Sequence, residues 1–551
     1  MKQILHILCI GIRSHPDIFS VVLILFFYLF SILLVSPFFE IPVDDGFAFA
    51  WSVQHFFENG TILFSDWVAS SFIFLYVWGI LFCLPFGYSF SALTVSVLLL
   101  SCATAIVFYL GCRRVFQVPA TASIIATLTL LLNPLFYELS NYYVTDVPYI
   151  GLLFTGIFLC WSSYSSHTKL RLFFGSMLIG FSFLTRQVGI FGLFAVLYIF
   201  LLRKERRISR YLLAFGMPCI MILLYFIWTI VLGHATFTQS HYVFGASFKQ
   251  LLKVTFLTST LPSRFFNMIM DLGLFLFPLV LPYLIQKNFW RQFLKKDFVL
   301  ICIFWGLIII CGTINHVGYH HDLMPFMPNI FIKGWARIIW LRGLCTVIAI
   351  PATILVFTLL TSYCIEIFQN NSTSIMQKTF YLVAALHVGA TLIYFWNFDT
   401  YLLPIIALLL FLMLDICSNN LQLHPNRYIA AIVFCLMMLW TPSMTAGNFK
   451  LIKTMWRSAE KLRSEGIPLT EIDGYFEWNH WYHYQDAVQC FKKKLAQGDT
   501  VTLSDMFNGY LPLYKVDHLP VSPRYQAEKE ISYSVSWLPV KKHIYILKRV
   551  N

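Results

Sequence analysis

Charged residues are scarce in this chain. Asp, Glu, Lys and Arg make up 12% of its 551 residues, whereas 58% of the residues are hydrophobic. Soluble globular domains carry about 25% charged residues, so this scarcity excludes an ordinary soluble domain. The mean hydropathy of +0.72 and the 55 phenylalanines indicate a protein that crosses a membrane many times.

Cysteine motifs and sequence repeats are also lacking. None of the 13 cysteines forms a Cys-x-x-Cys pair, and twelve of them lie in or beside apolar stretches. Neither a zinc site nor a disulfide framework is therefore indicated, and the cysteines are expected to be small core residues. The chain has no repeat of the solenoid type and no low-complexity segment, so a solenoid is excluded.

Acidic residues are outnumbered by basic ones, 26 against 39, and the net charge of +13 could suggest a nucleic-acid partner. The basic residues concentrate, however, in short loops between apolar runs: Arg113-Arg114, Lys169 with Arg171, Arg203–Arg207 and Lys295-Lys296. Short cytoplasmic loops of membrane proteins carry such an excess of Lys and Arg. We therefore expect contact with membrane lipids and no nucleic acid.

Long apolar runs predict a mostly α-helical, polytopic transmembrane bundle. Each crossing needs about 20 mostly apolar residues, so we expect about 11–13 helices. The first is expected to stay as an anchor, because no small-residue cleavage site precedes it. The runs are Phe19–Val35, Ser89–Leu110, Ala120–Phe136, Val147–Trp161, Val188–Leu202, Tyr211–Leu232, Leu272–Leu284, Phe298–Cys311, Thr346–Ile367, Phe380–Phe395, Leu402–Leu414 and Ile429–Leu439.

The composition becomes polar after the last apolar run. We therefore predict a transmembrane domain over residues 1–445, with a first outer loop over 39–88, and a small soluble C-terminal domain over 446–551. The tail has a helix-like stretch, Phe449–Glu465, and strand-like stretches at Ile531–Trp537 and His543–Leu547. A small α/β or α+β domain is expected.

Charge placement predicts which polar side chains share the outer face. With the N-terminus inside, the first helix delivers Asp44 and Asp45 to that face. If Trp67–Phe86 crossed the membrane, the next basic loops would lie outside, so this segment is interpreted as an interfacial or re-entrant helix. The following helices then bring Asp146 and Arg186 to the same face. This convergence favours a site there.

Two later loops add polar groups. His241 and Lys249 lie in the predicted outer loop His234–Arg264, and a His-rich segment occupies residues 316–322. The histidine spacing matches no zinc pattern, so ordinary interfacial or hydrogen-bonded histidines are the simpler interpretation. The orientation of the last helices, and thus the side of the C-terminal domain, stays open.

A purely structural interpretation also exists for each of these four residues, Asp44, Asp45, Asp146 and Arg186. Asp44 and Asp45 could cap the helix predicted over Phe47–Phe57, since carboxylates favour the positive end of a helix. Asp146 precedes Val147-Pro148 and could be a turn or N-cap residue. Arg186 could extend to the lipid headgroups, as Arg at a helix end often does. Only the joint placement weighs against these roles.

Several short motifs, in this order along the chain, resemble the GT-C superfamily. They are the acidic pair of the first outer loop, the acid before Pro in Thr145–Pro148, Leu184–Arg186 at an outer helix end, and Phe398–Pro404 opening a late helix. Within this superfamily, the chain resembles the branch of the protein O-mannosyltransferases, the aminoarabinose transferases acting on lipid A and related bacterial polyprenyl-phosphate-sugar transferases. The resemblance covers roughly the first four hundred residues. Thr400 stands where members often have Arg, so the donor stays open.

The resemblance implies an inverting hexosyl- or pentosyltransferase that passes a sugar from a polyprenyl phosphate to a lipid, glycan or protein. Such a reaction needs a base for the acceptor hydroxyl and a cation for the departing phosphate. Asp44 or Asp45 would be the base, and Asp146 would position the acceptor or the donor. Which of the two adjacent acids acts stays open.

A planar guanidinium can hold two phosphate oxygens, so Arg186 would bind the donor phosphate, and His241 or Lys249 could assist it. No cofactor is expected; metal independence is predicted, although two acids on one face could bind a divalent ion. The expected location is a bacterial plasma (inner) membrane with the site on its extracytoplasmic face. A transporter or flippase of a lipid-linked substrate, or a non-catalytic GT-C-like assembly partner, are the alternatives.

Overall fold

The structure is a computed structural model that describes residues 16–166, 168–240, 253–293, 295–315, 339–369, 374–394, 399–497, 511–522, 524–534 and 541–550. The α-helices in these ranges are α1 (Pro16–Val35), α2 (Gly46–Asn59), α3 (Ile73–Cys83), α4 (Phe90–Leu110), α5 (Ala120–Leu131), α6 (Pro134–Leu139), α7 (Asp146–Ser166), α8 (Lys169–Thr185), α9 (Phe191–Leu202), α10 (Ile208–Phe226), α11 (Leu261–Leu284), α12 (Lys287–Phe293), α13 (Lys296–Asn315), α14 (Ile339–Gln369), α15 (Ile375–Ile393), α16 (Leu403–Asp415), α17 (Arg427–Ser464), α18 (Tyr475–Tyr482) and α19 (Tyr484–Ala496). The strands are β1 (Ile472–Asp473), β2 (Tyr514–Asp517), β3 (Val521–Ser522), β4 (Tyr525–Ser534) and β5 (Lys541–Arg549).

A membrane helix bundle forms most of the molecule, as the apolar runs predicted. Within the described ranges, eight helical stretches are long and apolar enough to cross a membrane, and four shorter apolar helices accompany them. These stretches are buried to different extents. Of the most apolar 18 residues, 89% are buried in Asp399–Asn420 but only 33% in Pro16–Val35. Helix α16 therefore lies at the centre of the bundle, whereas α1 presents much of its surface to lipid.

The first outer loop contains two helices that do not cross the bundle. Helix α3 has 11 residues and is therefore about 16 Å long, roughly half the thickness of the hydrocarbon core. It packs against α4 and α8. The prediction of an interfacial or re-entrant segment over Trp67–Phe86 thus agrees with the length of the helix found there.

Helix α17 connects the bundle to the C-terminal sheet. Its 38 residues make it roughly 57 Å long, longer than a bilayer crossing needs, and it runs unbroken through residue 445. The boundary at residues 445 and 446 stays a prediction. The far end of α17 packs its Leu451, Met455 and Ala459 into a second hydrophobic core, which is shared with Trp478.

The C-terminal region is of the predicted α+β type. Its five strands form one sheet in the order β1-β2-β5-β4-β3, in which β1 and β2 are parallel and the other neighbours are antiparallel. Strands β4 and β5 fall on the two stretches with predicted strand character. Strand β4 begins at Tyr525, earlier than predicted, because its first half pairs along β5 around a bulge between Ala527 and Lys529.

Candidate functional site

The acidic pair lies on a tight turn that leads into α2. Asp44 has a φ of 46°, a left-handed conformation that is uncommon for residues other than Gly, and the Gly46 N–H donates to the Val43 carbonyl at 3.0 Å. A Cβ on Gly46 would lie 3.3 Å from a ring carbon of Tyr142. The turn is therefore strained and packed closely against the segment that precedes α7.

The Asp45 carboxylate does not cap α2. Asp45 occupies the N-cap position, but no side-chain hydrogen bond from it caps the helix. Its Oδ1 instead accepts a hydrogen bond of 2.9 Å from Nε1 of Trp67. Capping by the Asp45 side chain, one of the structural interpretations of the acidic pair, is thus wrong, because the carboxylate is turned toward an indole 22 residues further along the chain.

Asp146 and Arg186 form an ion pair at the same end of the bundle. Asp146 begins α7, and Arg186 follows the last residue of α8, so two helix ends place the charges side by side. The side chains are only 13% and 17% exposed, respectively. The guanidinium lies over the ring of Tyr401, 5.3 Å from its centroid. Arg186 is thus held between Asp146 and Tyr401, an arrangement that accounts for its position without extension to lipid headgroups.

The hydrogen bonds of Arg186 to the described residues use one nitrogen of its guanidinium. A guanidinium has five N–H donors. Within the part of the chain that the structure describes, its hydrogen bonds to Asp146 and to the Thr145 hydroxyl, the latter at 3.4 Å, both start from Nη1. Nε and Nη2 are therefore the edge on which Arg186 can bind phosphate oxygens.

The first outer loop packs directly on the Arg186 segment. The Phe72 N–H donates to the Thr185 carbonyl at 3.2 Å, and Gln187 Nε2 donates to the Ala69 carbonyl at 2.9 Å. Both chain neighbours of Arg186 are thus hydrogen-bonded to this loop. The predicted meeting of the first outer loop and the α8 end on one face is thus present in the fold.

Two tyrosines lie among the charges of this site. The Tyr401 hydroxyl is within electrostatic reach of Arg186, Asp146 and Asp45. Burial raises the pKa of Tyr142 well above its usual value, and the carboxylate of Asp44 raises this pKa further. Tyr142 therefore keeps its proton at neutral pH. Asp44, Asp45, Asp146 and Arg186 are thus brought together around two hydroxyl groups; their chemical roles stay predictions.

Sequence reasoning missed the aromatic and histidine partners of the site. In the sequence, Trp67 is only the start of an apolar segment, and Tyr401 is only part of a motif. The Tyr149 hydroxyl contacts Nε2 of His387, and His387 Nδ1 lies 2.8 Å from the Val383 carbonyl. No sequence signal links Tyr149 to His387, because 238 positions separate them.

The other predicted phosphate-binding residues, His241 and Lys249, lie outside the described residues, as does the His-rich segment 316–322. The stretch just before His241 does dock on the first outer loop: the Thr236 hydroxyl donates to the Val68 carbonyl at 2.6 Å, and the Phe237 N–H donates to Asp66 at 3.1 Å. The described stretch that leads to His241 therefore packs against the first outer loop.

A metal site would need a cluster of ligating side chains. In the ranges covered by the structure, no group of three or more His, Cys, Asp or Glu residues is arranged to hold a metal ion. Metal independence of the reaction stays a prediction.

The C-terminal domain covers the acidic turn. The ring of Phe47 in α2 packs 5.6 Å from Tyr484, and the ring of Trp67 packs 5.0 Å from His480. Lys492 Nζ forms an ion pair of 2.7 Å with Asp66. The side of the C-terminal domain, which the charge pattern left open, is thus the face of the acidic turn.

Comparisons with known proteins give structural neighbours alone. No protein-family model and no curated protein matches this chain. The crystal structure of ArnT from Cupriavidus metallidurans in the apo state is similar over 97% of this chain and 98% of its own, with 14% identity and a TM-score of 0.42. The structure of ArnT from Cupriavidus metallidurans bound to undecaprenyl phosphate is similar over 96% and 97%, with 14% identity and a TM-score of 0.39.

Proposed function

We propose that this chain is an integral-membrane glycosyltransferase that moves a sugar from a polyprenyl-phosphate donor to a lipid, glycan or protein acceptor outside the cytoplasm. The observation that carries the proposal is the Arg186 guanidinium, which Asp146 holds at the end of the bundle where Asp45 lies, and whose hydrogen bonds to the described residues start from Nη1 alone. A cation beside carboxylates at one end of a membrane bundle suits an anionic leaving group and an acceptor that must lose a proton. The proposed location is a bacterial plasma membrane.

In the proposed reaction, the acceptor hydroxyl oxygen bonds to the anomeric carbon of the sugar while the bond from that carbon to the phosphate oxygen breaks. The hydroxyl proton passes to a carboxylate of the acidic turn, and the phosphate leaves with the electron pair. Attack opposite the leaving group inverts the anomeric carbon. Asp45 is the favoured base, because the hydrogen bond from Trp67 fixes the direction of its carboxylate.

Arg186 stabilises the negative charge that develops on the departing phosphate, since charge-assisted bonds from a guanidinium are about twice as strong as neutral ones. Asp146 acts through Arg186: the ion pair sets the plane of the guanidinium over the Tyr401 ring. Direct positioning of the acceptor or the donor by Asp146 is also retained as part of the proposal. Assistance at the phosphate by His241 or Lys249 is retained as part of the proposal.

A panel of polyprenyl-phosphate sugars tests the proposal in membranes that contain the wild-type chain, Asp44→Asn or Asp45→Asn at equal protein levels. Transfer by the wild type and its loss in Asp45→Asn support the proposal. Asp486→Asn is the matched control, because Asp486 is an exposed acid of the C-terminal domain. Facilitated movement of a lipid-linked sugar across the bilayer, with no transfer from any donor, would establish a transporter instead.

A further inference from the structure

Trp67 connects the candidate base to the C-terminal domain. Its indole N–H donates to Asp45 Oδ1 at 2.9 Å, and its ring packs 5.0 Å from the ring of His480 and 6.2 Å from that of Tyr484. His480 belongs to α18 and Tyr484 begins α19. One side chain thus touches the acidic turn on one side and two C-terminal helices on the other.

The residues that flank Trp67 are tied to the same helices. Asp66 pairs with Lys492 of α19 at 2.7 Å. The Tyr484 hydroxyl lies near the Ser65 side chain, and the Ser65 N–H donates to Ser52 of α2 at 3.0 Å. Residues 65–67 are therefore held both by the C-terminal domain and by the helix that follows the acidic turn, so the indole has little freedom to rotate.

His480 is itself held in place. Its Nδ1 lies 2.8 Å from the Phe476 carbonyl one turn earlier in α18, and its ring packs 4.9 Å from Phe47 and 4.0 Å from Phe476. The imidazole is buried among these rings. A change in the position of α18 would therefore shift the surface against which Trp67 rests.

We propose that Trp67 is a positioning residue for sugar transfer: its indole N–H orients the Asp45 carboxylate, and helices α18 and α19 of the C-terminal domain orient the indole. The inference rests on the function proposed above. It assigns the C-terminal domain a role in the chemical step, because a carboxylate must point at the acceptor hydroxyl to take its proton. Binding of the donor phosphate at Arg186 does not depend on this contact.

The first variant is Trp67→Phe, which removes the N–H donor and keeps an aromatic ring in the cluster. We expect kcat for sugar transfer to fall about 10- to 100-fold, because a misdirected catalytic group reacts poorly, while KM for the donor changes less than about twofold. The matched control is Trp78→Phe. Trp78 also donates from Nε1, to the Ser96 carbonyl at 3.3 Å, and stacks on Phe74, but it has no contact with the acidic turn among those described.

A double-mutant cycle separates positioning from loss of structure. If Trp67 acts through the Asp45 carboxylate, Trp67→Phe should cause little further loss of transfer in an Asp45→Asn background. His480→Leu tests the C-terminal side of the contact and should lower kcat in the same direction as Trp67→Phe. Thermal unfolding in detergent checks that all variants are folded.

Three results would overturn the inference. Equal kcat for Trp67→Phe and Trp78→Phe would show that the indole N–H is not needed. A rise in donor KM at unchanged kcat would place Trp67 in donor binding, and fully additive losses in the cycle would show that it acts independently of Asp45. An inactive wild type would instead overturn the proposed function, and the inference with it.

Discussion

Polar side chains cluster at both ends of helix α16, but their hydrogen bonding differs between the two ends. At the end that follows Tyr401, the hydrogen bonds of Arg186 to the described residues start from Nη1 alone, so further donors remain for a ligand. At the other end, Arg113 donates from Nε to Asp17 at 2.9 Å and from Nη1 to the Val118 carbonyl at 2.6 Å. The same residue type thus connects helices at one end and presents donors at the other.

Asp415, the last residue of α16, lies at the end where polar side chains bond to one another. Asp415 Oδ2 accepts from the Tyr363 hydroxyl at 3.0 Å and from Gln377, and Oδ1 accepts from Asn419 at 2.7 Å. Asn419 also donates to the Phe116 carbonyl at 2.7 Å, just beyond Arg113. Buried polar groups that satisfy one another make a packed region rigid. Groups with donors left over are the better candidates for binding and chemistry.

The largest effect should come from the acidic turn. Asp45→Asn removes the proposed base while keeping the size of the side chain, and we expect transfer to fall about 10³-fold. The control is Asp17→Asn at the opposite end, which should keep transfer per folded molecule within a few-fold. Initial rates at saturating donor measure the difference. Full activity in Asp45→Asn would remove the distinction between the two ends.

The two arginines give the next largest contrast. Arg186→Lys keeps the positive charge but loses the planar pair of donors, so transfer should fall about 100-fold. Arg113→Lys, which alters an ion pair and a hydrogen bond at the opposite end of α16, should change the transfer rate less than about threefold. Rates over a range of donor concentrations measure both. Similar losses in the two variants would mean that Arg186 is a structural tie like Arg113.

The free energy of unfolding should depend more on the Asp415 end of α16 than on the Arg186 end. Asp415→Ala removes a buried acceptor that Tyr363, Gln377 and Asn419 share, and we expect a loss of about 2 kcal/mol in the free energy of unfolding. Unfolding in mixed detergent micelles measures it, with Glu465→Ala, an exposed acid at the end of α17, as the control. Transfer per folded molecule should stay near the wild-type value. An unchanged unfolding free energy would contradict the structural role of this end.

The smallest effect concerns the surface contact of the C-terminal domain. Lys492 and Asp66 are 46% and 32% exposed, so solvent screens their attraction. Lys492→Ala should therefore change the free energy of unfolding by about 0.5 kcal/mol or less. The same unfolding experiment at low and high salt measures it. A large loss would show that this pair, and not the ring cluster around Trp67, holds the C-terminal domain on the acidic turn.

Much of the site was predictable because each part depended on a local property. The charges of the basic loops that follow Trp67–Phe86 predict the short apolar helix α3, and the count of crossings predicts that Asp44, Asp45, Asp146 and Arg186 lie on one side. The ion pair of Asp146 with Arg186 was not predicted. The number of membrane crossings predicts the side on which a residue lies. An ion pair depends instead on the residue at which each of two helices begins or ends.

By itself, the sequence determined the class of the protein, its apolar segments and the fact that its acids Asp44, Asp45 and Asp146 share one end of the bundle. Partition between water and lipid is a property of each segment alone, so composition and loop charge are sufficient for these conclusions. Only the tertiary structure decided that Trp67 holds Asp45, that Asp146 holds Arg186, and that the C-terminal domain rests on the acidic turn. These contacts join side chains that are far apart in the chain, and their geometry depends on how whole helices pack against one another.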